Sequence, residues 1–456
     1  MTAPAANPLL TGPLLPILLR FSLPNMVAML ATALAAIAET RYVGQFGAPA
    51  LAGMALVFPF VMLQNMLSAG AMGGGVSSAV SRALGAGDTA RANVLAVHAL
   101  WIGTAMGLAY MAVMELLGPW CMSALGGSGE ALAQAVAYGE VAFAGSVLVW
   151  VVNTLSSVIR GSGNMLVPSV TLFAVAVAQV LLGGLLGLGW GVVQPQGMRG
   201  VAAGGVLANL GGALFLWFYL ASGRGKIRLM VRKTPLQRRH LLDILRVGAL
   251  ACISPLQTVL TILILTRLVA TLGTQALAGY GIGTRLEFLL VPLAFAVGVA
   301  SVPVVGMAIG AGHIARARQA AWTAAALAAA LLGGLGLIVT LVPDLWTSLY
   351  SDDALVRAAA ASYFLWAGPF YGFFGLGLSL YFSSLGAGKA RGPVLAGTLR
   401  LLVVAVGGAG LSAAQSPAWM IFALLGAAMM VYGVSTAWWV KITPWGEPQS
   451  EEGARA

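Results

Sequence analysis

Charge is what this sequence lacks most. Only 8% of its 456 residues are Asp, Glu, Lys or Arg, where a soluble chain carries roughly a quarter. So few charges cannot cover a soluble surface. The two to four soluble domains that the length would otherwise suggest are therefore excluded. Cysteine is scarce as well. Cys121 and Cys252 both sit in apolar helical contexts and suit small buried residues, not a disulfide framework or a metal site. The first ten residues lack a positive run and a cleavage signal, so the first apolar segment is expected to stay in the chain as a span. Nucleotide-hydrolysis motifs are missing too. Gly85-Ala86-Gly87 and Gly310-Ala311-Gly312 have neither the spacing nor the Lys-Ser/Thr of a phosphate-binding loop and read as tight turns. No catalytic or metal-ligating constellation is evident. The chain is not read as an enzyme and needs no cofactor.

What is present is apolar: 59% of the residues are hydrophobic. Charge-free stretches cover 42–81, 92–114, 161–198, 200–223, 319–343, 358–388 and 401–440. A helix needs about 20 apolar residues to cross the hydrocarbon, and such lengths rule out an outer-membrane barrel with strands of about ten alternating residues. Divided at Gly and Pro clusters, the pattern predicts an all-α membrane protein of twelve transmembrane helices. The spans fall near 15–39, 51–78, 93–117, 132–158, 166–190 and 200–221, then 243–267, 276–304, 317–342, 355–383, 393–412 and 417–440.

Basic residues orient these spans. Arg82, Arg91, Arg160, the seven Lys and Arg of 222–240, Arg316, Arg318, Lys389, Arg391 and Lys441 share one side if the helices alternate. Arg199 and Arg357 lie opposite, with Glu130, Asp344, Asp352 and Asp353. The positive-inside rule then makes both termini cytoplasmic. The net charge of +11 needs no nucleic acid; basic residues beside a membrane are drawn to anionic lipid.

The chain also repeats itself. At an offset of 226, Arg20 meets Arg246, Thr40-Arg41 meets Thr266-Arg267, Gly47 meets Gly273, and Ala50–Gly53 meets Ala276–Gly279. At 225, Gly85-Ala86-Gly87 meets Gly310-Ala311-Gly312, and Gly161, Gly163 and Pro168 meet Gly386, Gly388 and Pro393. Each repeat holds six spans. An even number gives both halves the same orientation, related by a pseudo-two-fold axis along the membrane normal. The expected organisation is a lobe of 1–221, a basic cytoplasmic linker of 222–240, a lobe of 241–441 and a tail of 442–456.

These residues resemble the multidrug and toxic compound extrusion (MATE) family, in its DinF-like bacterial branch. Glu39-Thr40-Arg41-Tyr42-Val43-Gly44-Gln45-Phe46-Gly47 resembles the D-T-x-x-V-G-x-x-G stretch at the outer end of the first span. Arg82–Asp88 resembles the loop after the second span, and Arg160-Gly161-Ser162-Gly163-Asn164 the R-G-x-G-[DN] after the fourth. Arg285-Leu286-Glu287 resembles an R-x-E stretch in the eighth span. The resemblance covers all twelve spans. It implies a multidrug exporter of amphipathic, often cationic organic compounds, in a bacterial inner membrane, working by antiport with H⁺ or Na⁺. Two departures stand out. The family's first-span aspartate is Glu39 here, and the N-x-x-x-D of the fifth span is replaced by Gln179 and Gly183.

Four acids fall within spans: Glu39, Glu115, Glu140 and Glu287. A carboxylate there costs about 2.5–3.5 kcal/mol on insertion scales and marks a functional hypothesis. Glu287 lies about eleven residues, roughly 17 Å, into its span, near the midplane. Fixed pairing with Arg285 and a titrating site are its two readings. Glu39 is either an interfacial acid neutralised by Arg41 or, as the resemblance implies, a cation-coupling residue. Neither acid recurs in the other repeat, where Leu265 matches Glu39 and Val61 or Met62 matches Glu287. Glu115 suits the interface, and Glu140 is intermediate. Gln64, Asn65, Asn153, Gln179 and Gln257 join Glu140 and Arg285 as cavity candidates, although such amides more often hold helices together. His98 reads as an interfacial histidine. Pro24, Pro59, Pro255, Pro292 and Pro369 are candidate kinks. Small-molecule substrates and membrane lipids are the expected partners, and the protein is expected to be a monomer. A lipid-linked precursor flippase is the first alternative, disfavoured because most arginines lie in loops. A non-transporting receptor or scaffold is the second, disfavoured by the duplicated lobes.

Overall fold

Apolar runs this long fold as helices in a membrane because every backbone polar group must be satisfied without water. The computed structural model describes residues 8–189, 193–231 and 234–446, and these are helical with no strand. Arg232 and Lys233 of the basic connection and 447–456 of the tail lie outside the described residues. In chain order the elements are α1 (Leu14–Val43), α2 (Ala48–Gly85), α3 (Thr89–Ala124), α4 (Gly129–Ala144), α5 (Ser146–Gly161), α6 (Leu166–Gly189) and α7 (Gly197–Ala221). There follow α8 (Arg238–Ala270), α9 (Thr274–Gly310), α10 (Ile314–Leu341), α11 (Ala354–Ala367), α12 (Tyr371–Gly386), α13 (Arg391–Ala413) and α14 (Ala418–Ile442).

Among the described residues, ten helices are long and apolar enough to cross a membrane, or eleven if the bent pair α4–α5 is one span. The remaining expected span, 355–383, is broken into α11 and α12 by a 3₁₀ turn at Gly368-Pro369-Phe370. Proline there has no N–H to continue the helix. The fourth span bends by 48° at Gly145, with no proline involved. Pro24, Pro59 and Pro292 sit inside helices that continue through them, whereas Pro255 follows the turn at Cys252 that interrupts α8.

The duplication is written into the backbone. Gly47 and Gly273 adopt φ of 98° and 101°, Gly87 and Gly312 of 78° and 77°, and Gly163 and Gly388 of 83° and 75°. Each pair is matched in the sequence register, and each occupies the left-handed region that favours glycine. The breaks at Gly145 and Gly368–Phe370 also correspond in that register.

The chain resolves into two compact units. One contains Arg20–Val80 and Thr89–Val259; the other contains Leu260–Ala456 with Met1–Leu19 and Ser81–Asp88. By packing, the basic connection and the first part of α8 thus group with the amino-terminal half, and the end of α2 with the carboxy-terminal half. Contacts explain both. Gly306 has no Cβ, and one would sit 1.9 Å from the Ser81 hydroxyl. Arg91 of α3 forms an ion pair with Asp243 of α8. His98, near the start of α3, is buried by protein. Its Nε2 accepts from the Gln237 backbone N–H at 2.8 Å, and its Nδ1 lies 2.8 Å from the Val94 carbonyl.

Candidate functional site

In the unit containing α1, helices α6 and α7 approach through glycine. A Cβ on Gly204 would lie 2.2 Å from the Gly183 backbone nitrogen, and one on Gly200 would lie 2.3 Å from the Leu186 carbonyl oxygen. Small residues four apart let backbones pack this closely. The contact carries Gln179 to the end of α1, where its Nε2 donates to Glu39 Oε1 at 2.7 Å. Glu39 is only 5% exposed. Tyr42 lies beside this carboxylate. Its hydroxyl is buried but finds no good hydrogen-bond geometry among the described residues. A Cβ on Gly183 would stand 2.6 Å from that hydroxyl. Replacement of the expected aspartate therefore has a packing counterpart: the Tyr42 hydroxyl and the Val201 carbonyl oxygen occupy the space that a side chain at 183 would need. Tyr138 of α4 packs in the same cluster, with Val43, Phe143 and Val201.

In the other unit, Glu287 of α9 is half-buried and accepts a hydrogen bond from the Tyr363 hydroxyl. The Tyr371 hydroxyl donates in turn to Tyr363 at 3.4 Å. These phenols come from α11 and α12, on either side of the break at Pro369, so the break lets one span present both rings. Gly283, one turn before Glu287, makes the slot for Tyr363; a Cβ there would be 2.3 Å from the ring. Tyr280 meets the Tyr363 ring edge to face at 5.7 Å. Arg400 of α13 is within electrostatic reach of Glu287 and lies 5.0 Å over the Tyr432 ring. Of the two readings of Glu287, fixed pairing with Arg285 is not formed: Arg285 is exposed and its guanidinium sits 4.9 Å over the Tyr350 ring. Two residues apart on a helix, the side chains diverge.

Among the described residues, neither Glu39 nor Glu287 is ion-paired, and their side-chain donors are neutral. Glu140 differs. It is exposed and forms an ion pair with Arg199 at 2.9 Å. Glu115 is exposed.

The amides mostly join helices. Gln64 Nε2 donates to the Ser146 carbonyl at 3.3 Å, just past the bend at Gly145. Asn153 Nδ2 donates to Ser68 Oγ at 2.8 Å, and Ser68 donates to the Gln64 carbonyl at 2.7 Å. Ser68 sits in a π-helical stretch of α2, Met66–Met72. Exposed Asn65 donates to Val61 on its own helix, and Gln257 is buried. Sequence reasoning missed Tyr42, Tyr138, Tyr280, Tyr363, Tyr371 and Arg400. Arg400 was the one legible signal, as a charge inside an apolar span. The tyrosines read as ordinary aromatic content.

The MatE family model matches residues 24–185 and 251–409. An FAD transporter of Shewanella oneidensis is 26% identical over 322 residues, covering 68% of this chain and 69% of that one. The probable multidrug resistance protein NorM of Thermotoga maritima is 25% identical, over 74% and 72% of the two chains. The multidrug export protein MepA of Staphylococcus aureus is 25% identical over 60% of each. Among solved structures, a MOP superfamily transporter from Pyrococcus furiosus superposes with a TM-score of 0.87 at 23% identity, covering 97% of this chain and 98% of that one. An outward-facing multidrug resistance MATE family transporter does so with 0.86 at 23%, over the same shares.

Proposed function

This chain belongs to the MatE family of membrane transporters, and from that premise we propose that it is a secondary active multidrug exporter. Its relatives are transporters, not enzymes. The substrates are amphipathic, often cationic organic compounds, exchanged for H⁺ or Na⁺ by alternating access. The observation that carries the coupling is the pair of membrane-embedded carboxylates, Glu39 and Glu287, each held by a neutral donor. An acid already locked to Arg or Lys has little capacity for a cation. An acid bound to an amide or a phenol can take a proton, or a sodium ion with oxygen ligands supplied around it.

The geometry makes the two sites unequal. Glu39 has one close amide partner and a phenol beside it, and Gln179 and Gly183 add no second carboxylate. Glu287 has a two-phenol chain and a nearby guanidinium. Tyr363 and Tyr371 join Glu287 as residues of the carboxy-terminal site, and Gln179 and Tyr42 join Glu39. Coupling requires only that the cation bind one access state better than the other. The basic connections support an inner-membrane placement with cytoplasmic termini. Two six-helix halves, 1–221 and 241–441, would exchange access, with 222–240 between them.

The test is efflux of a cationic dye from proteoliposomes, with ΔpH and a sodium gradient imposed separately and a flavin dinucleotide run as the anionic comparison. Efflux of the cation under one gradient alone is expected. Failure of both gradients, together with translocation of a lipid-linked oligosaccharide, would replace this reading with the flippase.

A further inference from the structure

We propose that the basic end of α6 and α7 carries a built binding site for the headgroup of an anionic phospholipid, formed by Arg224 and Lys226 over a polar cavity.

The cavity has a volume of about 420 Å³ and is lined by Ser162, Gly163, Asn164, Tyr219, Arg224, Gly225 and Lys226. That is more than ten times the roughly 30 Å³ share of one water in the liquid. Two cations and no carboxylate line it, and among the described residues neither cation forms an ion pair. Its floor is fixed. Asn164 Oδ1 accepts from the Val167 N–H at 3.1 Å, and its Nδ2 donates to the Tyr219 hydroxyl at 3.3 Å. This ties the start of α6 to the end of α7.

The two cations do not hang on a loose linker. Beyond α7 the chain is pinned back on its own unit. Leu229 N–H donates to the Leu220 carbonyl at 3.1 Å, and Arg228 N–H donates to Asn93 Oδ1 at 2.8 Å. Ile227 and Leu229 bury their side chains, while Lys226 and Arg228 between and beside them face out. Gly225 lies against Tyr219; a Cβ there would meet the ring and the hydroxyl at 3.4 Å. The strap therefore sets Arg224 and Lys226 at the rim of the cavity.

The surroundings select a lipid over a soluble phosphate. Leu166 and Val170 of α6 and Phe215 and Phe218 of α7 are exposed within the two helical turns nearest the cavity. An occupant with a phosphate in the cavity and an acyl chain along those apolar side chains satisfies both surfaces. Simple attraction of a basic loop to a charged bilayer needs neither the cavity nor the pinned strap.

The experiment is native mass spectrometry of the full chain in detergent micelles, titrated with phosphatidylglycerol or phosphatidylcholine. The wild type is expected to hold one phosphatidylglycerol that the double variant Arg224→Gln/Lys226→Gln binds about thirtyfold more weakly, and each single variant about fivefold. Arg224→Lys, which keeps the charge, should bind as wild type. Equal retention of phosphatidylcholine, or unchanged binding in the singles and the double, would overturn the site. Displacement of the lipid by excess inorganic phosphate alone would reassign it to a soluble anion and overturn the lipid. If the double variant fails to fold, the two singles decide.

Discussion

Gly183 and Gly283 define what the two acids can do. Gly183 holds no side chain because the Tyr42 hydroxyl and the Val201 carbonyl occupy the space beside it. Gly183→Ala should therefore destabilise the protein by about 1–3 kcal/mol through overpacking, measured as a lower midpoint of thermal unfolding in detergent. Tyr42→Phe removes the hydroxyl nearest the new methyl group and should recover part of the loss; no recovery would place the clash on the Val201 carbonyl instead. Gly283 acts in the opposite sense, by admitting the Tyr363 ring next to Glu287. Gly283→Ala should push that ring out and lower gradient-driven efflux about tenfold, within the ordinary range of coupling energies. Tyr363→Phe should do the same. An active Gly283→Ala protein paired with an inactive Tyr363→Phe protein would contradict the slot. The acids themselves could be read from the sequence, because charge inside an apolar span is rare and expensive. Their partners could not. Gln179 reaches Glu39 from 140 positions away and Tyr363 reaches Glu287 from 76, and no local pattern encodes such pairings.

At the scale of elements, the apolar runs and the repeat register placed the helices, and Pro369 marked a real break. The bend at Gly145 left no such mark, because a packing contact and the Gln64 bond to the Ser146 carbonyl hold it in place of a proline. The π-helical stretch at Met66–Met72 was equally silent. One connection gives a control for pH. After α10, Asp344 pairs with Arg357 of α11 at 2.6 Å. The hydrogen bond and charge of Arg357 hold the Asp344 carboxyl below its usual range. Any stabilisation from this pair is present above the ordinary carboxylate pKa and is lost only as pH falls through the lowered value. Arg357→Gln should thus leave the pH profile of efflux unchanged between about pH 6 and 8. A shifted profile would mean that this pair, not a buried acid, senses protons.

At the scale of the whole molecule, two similar frameworks hold different polar groups. Matched glycines share their backbone angles, yet Glu39 and Glu287 each lack a counterpart in the other half. Function placed on such asymmetric groups should separate from binding when they are neutralised. The most direct measurement compares wild type, Glu39→Gln and Glu287→Gln in proteoliposomes, recording gradient-driven accumulation of a cationic dye beside dye binding at equilibrium. The expected result is that at least one variant loses accumulation about tenfold or more, as the loss of a coupling energy demands, while still binding dye. Wild-type accumulation in both variants would contradict the assignment of coupling to these carboxylates.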